Sequence, residues 1–238
     1  MLVWHQQSSA ARVELSAAST WNYVCKAANL LFDEYQVGPG STVCVRLPVH
    51  WQSIGWVLAT WALGARVSQQ TADGADACVM TARQAATEST AHTIVASLDI
   101  WGGPCTNVLP AGVLDAGRDL RMQPDAAMWP QVPREVSNAA AALPTGLLTF
   151  LSLADAAEEF SGQPISVGMH RPSANGNPPD GNATSAAHES ADESAPIVST
   201  ARLAAVAAVC GAGCIVIADG DGSWASAIAQ AESVRSWL

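Results

Sequence analysis

Apolar residues change between strand-like and helical spacing over the first fifty residues. The pattern predicts a short strand at residues 13–15 and then an amphipathic helix that ends near Tyr35. The Gly-Pro-Gly turn at 38–40 ends this helix, because glycine and proline interrupt helical structure. The apolar run 42–47 then predicts a buried strand, which stops before Pro48. The chain therefore begins with the order strand, helix, strand.

A second helix is predicted at residues 51–63. It is apolar nearly all round and includes three tryptophans, so we expect it to be buried in the core. Gly64 ends this helix, and residues 65–68 begin another strand. Two strands joined by one helix are typical of a parallel sheet.

The same alternation returns in the second half of the chain. Its predicted segments are strands at 147–151, 164–167 and 211–217 and helices at 152–160, 200–210 and 224–237. Because order and turn chemistry match between the halves, we infer a weak internal duplication, although any α/β protein shows some alternation of this kind. The sequence thus predicts an α/β fold with a mainly parallel sheet, flanking helices and two pseudo-repeated halves, 1–142 and 143–238.

The segments between these elements are predicted to differ in how regular their structure is. Strands are expected at 76–80 and 93–97, whereas the prolines and glycines of 101–144 favour irregular structure over the sheet. Residues 171–196 are rich in Ser, Ala, Asn, Pro and Gly and contain no large apolar side chain. We therefore expect a disordered loop that interrupts the second half.

The charge balance excludes some classes of partner. The formal net charge is −10, and positive residues are few and scattered, so neither nucleic acid nor an anionic membrane surface is an expected partner. Lys26 is the one lysine, and a solvated position on the first helix is expected for it. Charged residues are only 13% of the chain, which indicates either a bland surface or one covered by a protein partner or a second copy.

Cysteine usage and the N-terminus favour a cytoplasmic protein. The six cysteines form no C-x-x-C pair and most lie in apolar runs, so we expect reduced, structural thiols and no metal site. The first residues do not resemble a signal peptide, and the apolar runs are shorter than the roughly 20 residues that span a bilayer. We therefore expect a soluble chain without a membrane partner.

His50 and His170 are the best candidates for contact with a ligand. Each ends a predicted repeated strand, at the carboxyl edge where α/β proteins bind ligands, although a capping or solvated histidine is the alternative in each case. The Asp-Gly-Asp-Gly segment 219–222 follows another strand, and an acidic turn is favoured there over a cation site. The chain has no G-x-x-x-x-G-K-S/T loop, G-x-G-x-x-G loop or G-x-S-x-G nucleophile elbow. The sequence therefore identifies no catalytic residue.

Several short motifs occur in a characteristic order. They are Val-Glu-Leu-Ser at 13–16, Ala-Ala-Asn-Leu-Leu at 27–31, Val-Gly-Pro-Gly at 37–40, Val-Cys-Val-Arg-Leu-Pro at 43–48, Trp51, Leu-Gly-Ala-Arg-Val at 63–67 and Asp-Ala-Cys-Val-Met at 76–80. In this order they resemble the opening of the AMP-binding (acyl-adenylate-forming) synthetase family, and residues 147–217 are similar to the segment that follows. Ser41 stands where the family usually has Asp. The chain looks most like the short bacterial AMP-binding-like proteins of unknown function.

The resemblance also implies where the ATP-binding loop should lie. Family enzymes place a Ser/Thr/Gly-rich phosphate loop ending in Pro-Lys-Gly just before the second half. Here residues 139–146 read Ala-Ala-Ala-Ala-Leu-Pro-Thr-Gly, with Thr145 in place of the lysine and Gly146 matching the final glycine. Because alanine has no hydroxyl group and Thr145 no charge, we expect this loop to bind phosphate poorly. Thr145 and Gly146 remain weak candidates for contact with a nucleotide cofactor.

Two functions follow as expectations. The first is a binding or interaction module without adenylation activity or cofactor, which pairs with a protein partner or with a second copy of itself. The second is part of a split or divergent acyl-adenylate-forming ligase that binds a nucleotide or an acyl or CoA ligand. The resemblance implies that the family's later nucleotide-binding motifs, and its C-terminal domain with a catalytic lysine, would lie beyond Leu238.

Overall fold

A computed structural model gives the fold of most of the chain. The residues that it describes are 2–6, 10–69, 74–131, 138–143, 146–158, 166–171, 202–203, 206, 214–219 and 234–237. Within these ranges the chain forms two β-sheets with helices packed against them. The predicted α/β class is therefore confirmed.

The strands and helices are named in chain order. The strands are β1 (Leu2–Gln6), β2 (Ala11–Leu15), β3 (Thr42–Val45), β4 (Arg66–Ser68), β5 (Ala77–Met80), β6 (Thr93–Val95), β7 (Leu114–Asp115), β8 (Ala139–Leu143), β9 (Gly146–Thr149), β10 (Ser166–Arg171), β11 (Cys214–Asp219) and β12 (Val234–Trp237). The helices are α1 (Ala17–Tyr35), α2 (Trp51–Ala62), α3 (Ala82–Glu88), α4 (Ala116–Asp119) and α5 (Phe150–Glu158). A 3-10 turn, Leu120–Met122, follows α4.

The larger sheet has seven strands in the order β7-β6-β5-β3-β4-β8-β9. All neighbours from β7 to β8 are parallel, and β9 is antiparallel to β8. Strand β5 is buried at every position, as expected for a parallel strand that is covered on both faces. The predicted mainly parallel sheet is thus confirmed.

The smaller sheet has five strands in the order β12-β10-β11-β1-β2. Strand β1, which the sequence pattern did not reveal, pairs in parallel with β11 and antiparallel with β2. The helix predicted at 224–237 is wrong for its last residues, because Val234–Trp237 pairs in parallel with β10 as β12. Strand pairing overrides helical periodicity here.

The predicted division at residues 142 and 143 stays a prediction. In the sheet topology this position lies inside β8, and the N-terminal strands β1 and β2 share a sheet with β10, β11 and β12. The predicted loop 171–196 lies outside the described residues apart from Arg171, and so does most of the predicted helix 200–210.

Helix α1 begins and ends where its sequence predicts. The Ser16 side chain caps it, since Oγ accepts a hydrogen bond from the Ser19 backbone N–H at 3.0 Å. The helix ends at Gln36, which adopts a left-handed conformation with φ of 56° and donates its N–H to the Phe32 carbonyl. The predicted helix is confirmed at both ends.

Two polar residues of α1 hold the segment 122–129 against the helix. Asn29 is 1% exposed, and its side-chain amide donates to two backbone carbonyls of the segment and accepts one of its N–H groups. Lys26 Nζ lies 2.9 Å from Asp125 Oδ1 and donates to the Gln123 carbonyl at 2.5 Å. The expected solvated position for Lys26 is therefore wrong, because this lysine is paired with the segment.

Helix α2 is buried, as its apolar circumference predicts. It packs against α1, β1, β3 and β4, and Trp56 is fully buried at its centre. Because α2 contacts strands of both sheets, it joins them into one core.

With 12 residues α2 is too short to cross a membrane, and no other helix in the described ranges is long and apolar enough to do so.

Candidate functional site

The larger sheet has a topological switch point between β3 and β5. From β3 the chain continues through α2 to β4 on one side, and then passes back to β5 on the other side. Ligands of open parallel sheets bind in the crevice at the carboxyl edge of such a point. The residues that follow β3 and β5 are therefore candidates for a functional site.

His50 is the residue before α2 and caps that helix. Its Nδ1 accepts a hydrogen bond from the Gln52 backbone N–H at 3.2 Å. Ser53 completes a reciprocal cap, because its Oγ accepts the His50 N–H at 2.9 Å. The predicted alternative of a capping histidine thus describes the geometry of His50, and its role toward a ligand stays a prediction.

The His50 ring belongs to a packed aromatic cluster. It contacts Trp4 edge to face at 4.9 Å between ring centroids and lies 5.7 Å from the Trp51 ring, and only 1% of His50 is exposed. Tyr23 lies beside the same cluster, with its ring so close to Gly55 that a Cβ there would be 2.4 Å from the ring. Burial raises the pKa of Tyr23, although its contact with a neighbouring indole acts in the opposite direction. The aromatic contacts and the burial of its side chain make His50 part of the core.

The loop 96–105 covers the first turn of α2. Gln52 Nε2 donates to the Asp99 carbonyl at 2.9 Å, and Trp51 Nε1 donates to the Ile100 carbonyl at 3.2 Å. The loop is fixed by the Asp99 carboxylate, which accepts the backbone N–H groups of residues 101 and 103 at 2.9 Å each. The loop is therefore attached to the two residues that follow His50.

A cation lies at the switch point, but it is paired. Arg46 directly follows β3 and its guanidinium forms an ion pair with Glu88 at the end of α3. Burial is the largest single effect on Arg46 and acts to lower its pKa, but the hydrogen bond to Glu88 and the charge of Glu88, together with smaller effects of the nearby thiols, outweigh burial and raise the net pKa. A charged pair of this kind contributes no free positive charge for a phosphate group.

His170 lies on the other sheet. It is inside β10, where it is the Cα partner of Ala218, and Ala218 is in turn the partner of His5. His50, in contrast, comes after the end of β3 and begins a helix. The structure therefore does not place the two histidines at equivalent positions, and the ligand role of His170 stays a prediction.

Residues 139–146, where the resemblance implies a phosphate loop, form most of a β-hairpin. Strand β8 pairs in parallel with β4 and antiparallel with β9, with Leu143 opposite Gly146. Thr145 lies outside the described residues. Gly146 is exposed and has a φ of +129°, a conformation that favours glycine. The sequence did not predict β8, because alanine has a low strand propensity and the segment lies in a proline-rich region.

The alanines of this hairpin are part of the core. Ala140 and Ala141 have no exposed surface, and the Ala140 carbonyl accepts a hydrogen bond from Trp61 Nε1 at 3.0 Å. The Trp61 ring also contacts Phe150 at the start of α5. The side chain of Trp61 therefore connects α2 to the backbone of β8. The run of four alanines is the one feature of the sequence that could have identified β8 as a buried strand.

Because His50 caps α2, its substitutions should change stability in a graded way. We expect His50→Ala to lower the free energy of unfolding by about 1–2 kcal/mol, because the N-cap acceptor and some packing are lost. His50→Asn keeps an acceptor at the same position and should recover part of this loss. Urea unfolding of both variants measures the difference. Equal stability of wild type and His50→Ala would contradict a capping role.

Comparison with known proteins places this geometry in context. No protein-family model matches the chain. A curated relative, the TIGR03089 family protein of Mycobacterium tuberculosis, is 35% identical over 136 residues, which cover 52% of this chain and 54% of the relative. The chain thus spans about half the length of the curated relative that it matches, and the name of that relative states no activity.

Solved structures match nearly the whole chain. The acyl-CoA synthetase of Brucella canis has a TM-score of 0.66 at 15% identity, and the match covers 99% of this chain and 43% of that protein. An amide bond synthetase from Marinactinospora thermotolerans has a TM-score of 0.62 at 15% identity, with 99% and 45% covered. The N-terminal subdomain of NpsA from Klebsiella oxytoca has a TM-score of 0.57 at 11% identity, with 99% and 56% covered. The chain has the fold of the N-terminal region of adenylate-forming enzymes, which confirms the resemblance found in the sequence.

Proposed function

We propose that this chain does not form acyl-adenylates by itself and acts as a binding or interaction module with the fold of the N-terminal region of adenylate-forming enzymes. The observation that carries this proposal is the hairpin β8–β9 at the position of the phosphate loop. A loop that grips phosphate needs free backbone N–H groups, hydroxyl groups and a cation. The hairpin offers these groups poorly.

Three features of the described residues support this proposal. The backbone of β8 is paired with β9 along most of its length and with β4 at residues 141 and 142, so this backbone is engaged within the sheet. Its side chains from 139 to 142 are methyl groups. Two cations of the described residues are held in ion pairs, because Lys26 pairs with Asp125 and Arg46 with Glu88.

The same hairpin offers a surface for association. Strand β9 is the last strand in the order of the larger sheet, and among the described strands it pairs with β8 alone. Leu147 on β9 is 66% exposed, and Leu151 on the adjoining helix α5 is 51% exposed. An unpaired strand edge beside exposed leucines favours pairing with another strand. We infer that a second copy of the chain pairs with this edge.

Leu147→Lys tests this association, because a charge on the edge strand opposes pairing. We expect the wild-type chain to form a dimer by light scattering after size exclusion, and Leu147→Lys to shift it toward the monomer by at least tenfold in Kd. Val108→Lys is the matched control, since Val108 is fully exposed on a loop. Dimers that persist in Leu147→Lys and dissociate in Val108→Lys would contradict the assignment of the edge, and a wild-type monomer at every concentration would remove it.

A split or divergent ligase is the second candidate. It is favoured by the end of β8, which lies at the carboxyl edge of the parallel strands, where a phosphate site would lie. This function requires that ATP, AMP or an acyl-CoA bind to the chain and that His50→Ala weaken the binding. Calorimetry with each compound at millimolar concentration measures both requirements, and the absence of binding heat would count against this candidate.

A further inference from the structure

Two cysteines lie side by side in the central strands of the larger sheet. Cys44 of β3 and Cys78 of β5 are Cα partners in the parallel register. Partners of this kind point to the same face of a sheet, and neighbouring strands lie about 4.8 Å apart. This separation is within the roughly 4.4–6.8 Å between Cα atoms that a disulfide spans. The backbone is therefore already in position for a bond between these two residues.

The pair is present as free thiols in a distinct environment. Both are free cysteines, and their aligned positions place the two side chains next to each other on one face of the sheet. Both belong to a small apolar cluster, separate from the main core, that includes Met80 and Val95. Cys44 has no exposed surface, whereas 6% of Cys78 is exposed. A small reagent would therefore meet Cys78 first.

The surroundings also divide the chemical roles of the two thiols. The interaction with the Cys44 thiol lowers the pKa of Cys78, and the guanidinium of Arg46 adds to this effect against the opposing effect of burial. The interaction with Cys78 and burial raise the pKa of Cys44. Cys78 is thus the more acidic of the two thiols.

We propose that Cys44 and Cys78 are a site of reversible oxidation by small peroxides, where they form a disulfide between β3 and β5. In the first step the Cys78 thiolate attacks one oxygen of hydrogen peroxide, the O–O bond breaks, and hydroxide leaves as Cys78 becomes a sulfenic acid. In the second step the Cys44 sulfur attacks the Cys78 sulfur, the S–O bond breaks, and the hydroxyl leaves as water with the Cys44 proton. The two thiols lose two electrons, and the peroxide is reduced to two water molecules.

The location of the pair gives the oxidation a structural consequence. The disulfide joins the two strands on either side of the switch point, and Arg46 lies two residues after Cys44. Arg46 directly follows β3, and β5 is followed by α3, which contains Glu88. Oxidation is therefore expected to fix the distance between the two strands from which this ion pair is formed. The inference does not rest on the proposed function, because the thiols and their register are independent of the hairpin.

Peptide mapping of the whole folded chain tests the proposal. Trypsin cleaves after the basic residues that flank the pair, Lys26, Arg46, Arg66 and Arg83. The resulting peptides 27–46 and 67–83 each contain one cysteine, Cys44 and Cys78. After treatment of the reduced chain with a small excess of hydrogen peroxide, we expect these peptides as one linked species that dithiothreitol separates. Failure to find the linked species in oxidised, folded protein would overturn the proposal.

Two variants distinguish this pair from other thiols. Cys44→Ala removes the thiol that resolves the sulfenic acid, so dimedone should label Cys78 in that variant at several times its labelling in the wild type. Cys105→Ala removes the partly exposed cysteine beside the same cluster and should leave the link intact. Labelling of Cys105 in place of Cys78, or loss of the link in Cys105→Ala, would assign the oxidation to a different cysteine.

Discussion

Trp61→Ala is expected to lower the free energy of unfolding by about 4 kcal/mol, within the range found for buried tryptophans. Trp61 is 5% exposed in α2, and its indole fills the space between this helix and the hairpin. The substitution creates a cavity and also leaves the Ala140 carbonyl without the N–H donor that lies 3.0 Å away. Urea unfolding followed by circular dichroism measures the loss.

Trp61→Phe separates packing from hydrogen bonding at this position. Phenylalanine keeps most of the apolar surface, so the change in volume should contribute little. The lost hydrogen bond leaves a buried carbonyl without a partner, and this should lower the free energy of unfolding by about 1–2 kcal/mol. Trp101→Ala is the surface control and should change the free energy of unfolding by less than about 0.5 kcal/mol, since Trp101 is 73% exposed. A cost below 1 kcal/mol for Trp61→Ala would contradict the packing of α2 on β8.

Gly117→Ala is expected to have the second large effect, a loss of about 3 kcal/mol in the free energy of unfolding. A Cβ at Gly117 would lie 2.1 Å from the carbonyl oxygen of Gly103, and this neighbour is backbone that cannot rotate away. Either α4 or the loop 96–105 must move to accept the methyl group. Because this loop covers the first turn of α2, hydrogen exchange at Trp51 and Gln52 should also become faster.

Gly38→Ala is the matched control for this glycine. Nothing lies within 4 Å of a Cβ at Gly38, and its φ is not in the left-handed region. The substitution should therefore be neutral or stabilise by up to about 1 kcal/mol, because alanine reduces the conformational freedom of the unfolded chain. Equal effects of Gly117→Ala and Gly38→Ala would show that the close approach of Gly103 is not a constraint.

The elements with strong periodicity could be predicted from the sequence. Helix α1 and the buried helix α2 have patterns that leave one interpretation, and the apolar runs of β3, β4 and β5 lie between clear turns. The order of these elements also carried the resemblance that the solved structures confirm as a shared fold. Local chemistry was sufficient in this region because each element is buried where its pattern says it should be.

The candidate site could be predicted only in part, since its features depend on contacts between distant segments. His50 could be identified as a strand-end histidine, but its burial follows from Trp4, which arrives on a strand that the sequence pattern did not reveal. The alanines of β8 read as a loop because their burial depends on Trp61, about 80 residues earlier in the chain. The pairing of Lys26 could not be predicted, because Asp125 lies even further away in the sequence.

We propose that the hairpin β8–β9 stands in place of a working phosphate loop. ATP–pyrophosphate exchange by the purified chain tests it most directly, with a panel of short, long and aromatic carboxylic acids as substrates. We expect no exchange above the enzyme-free blank, and Thr145→Lys should not restore it, because the β8 backbone remains paired in the sheet. Carboxylate-dependent exchange by the wild-type chain that survives repurification would contradict the claim.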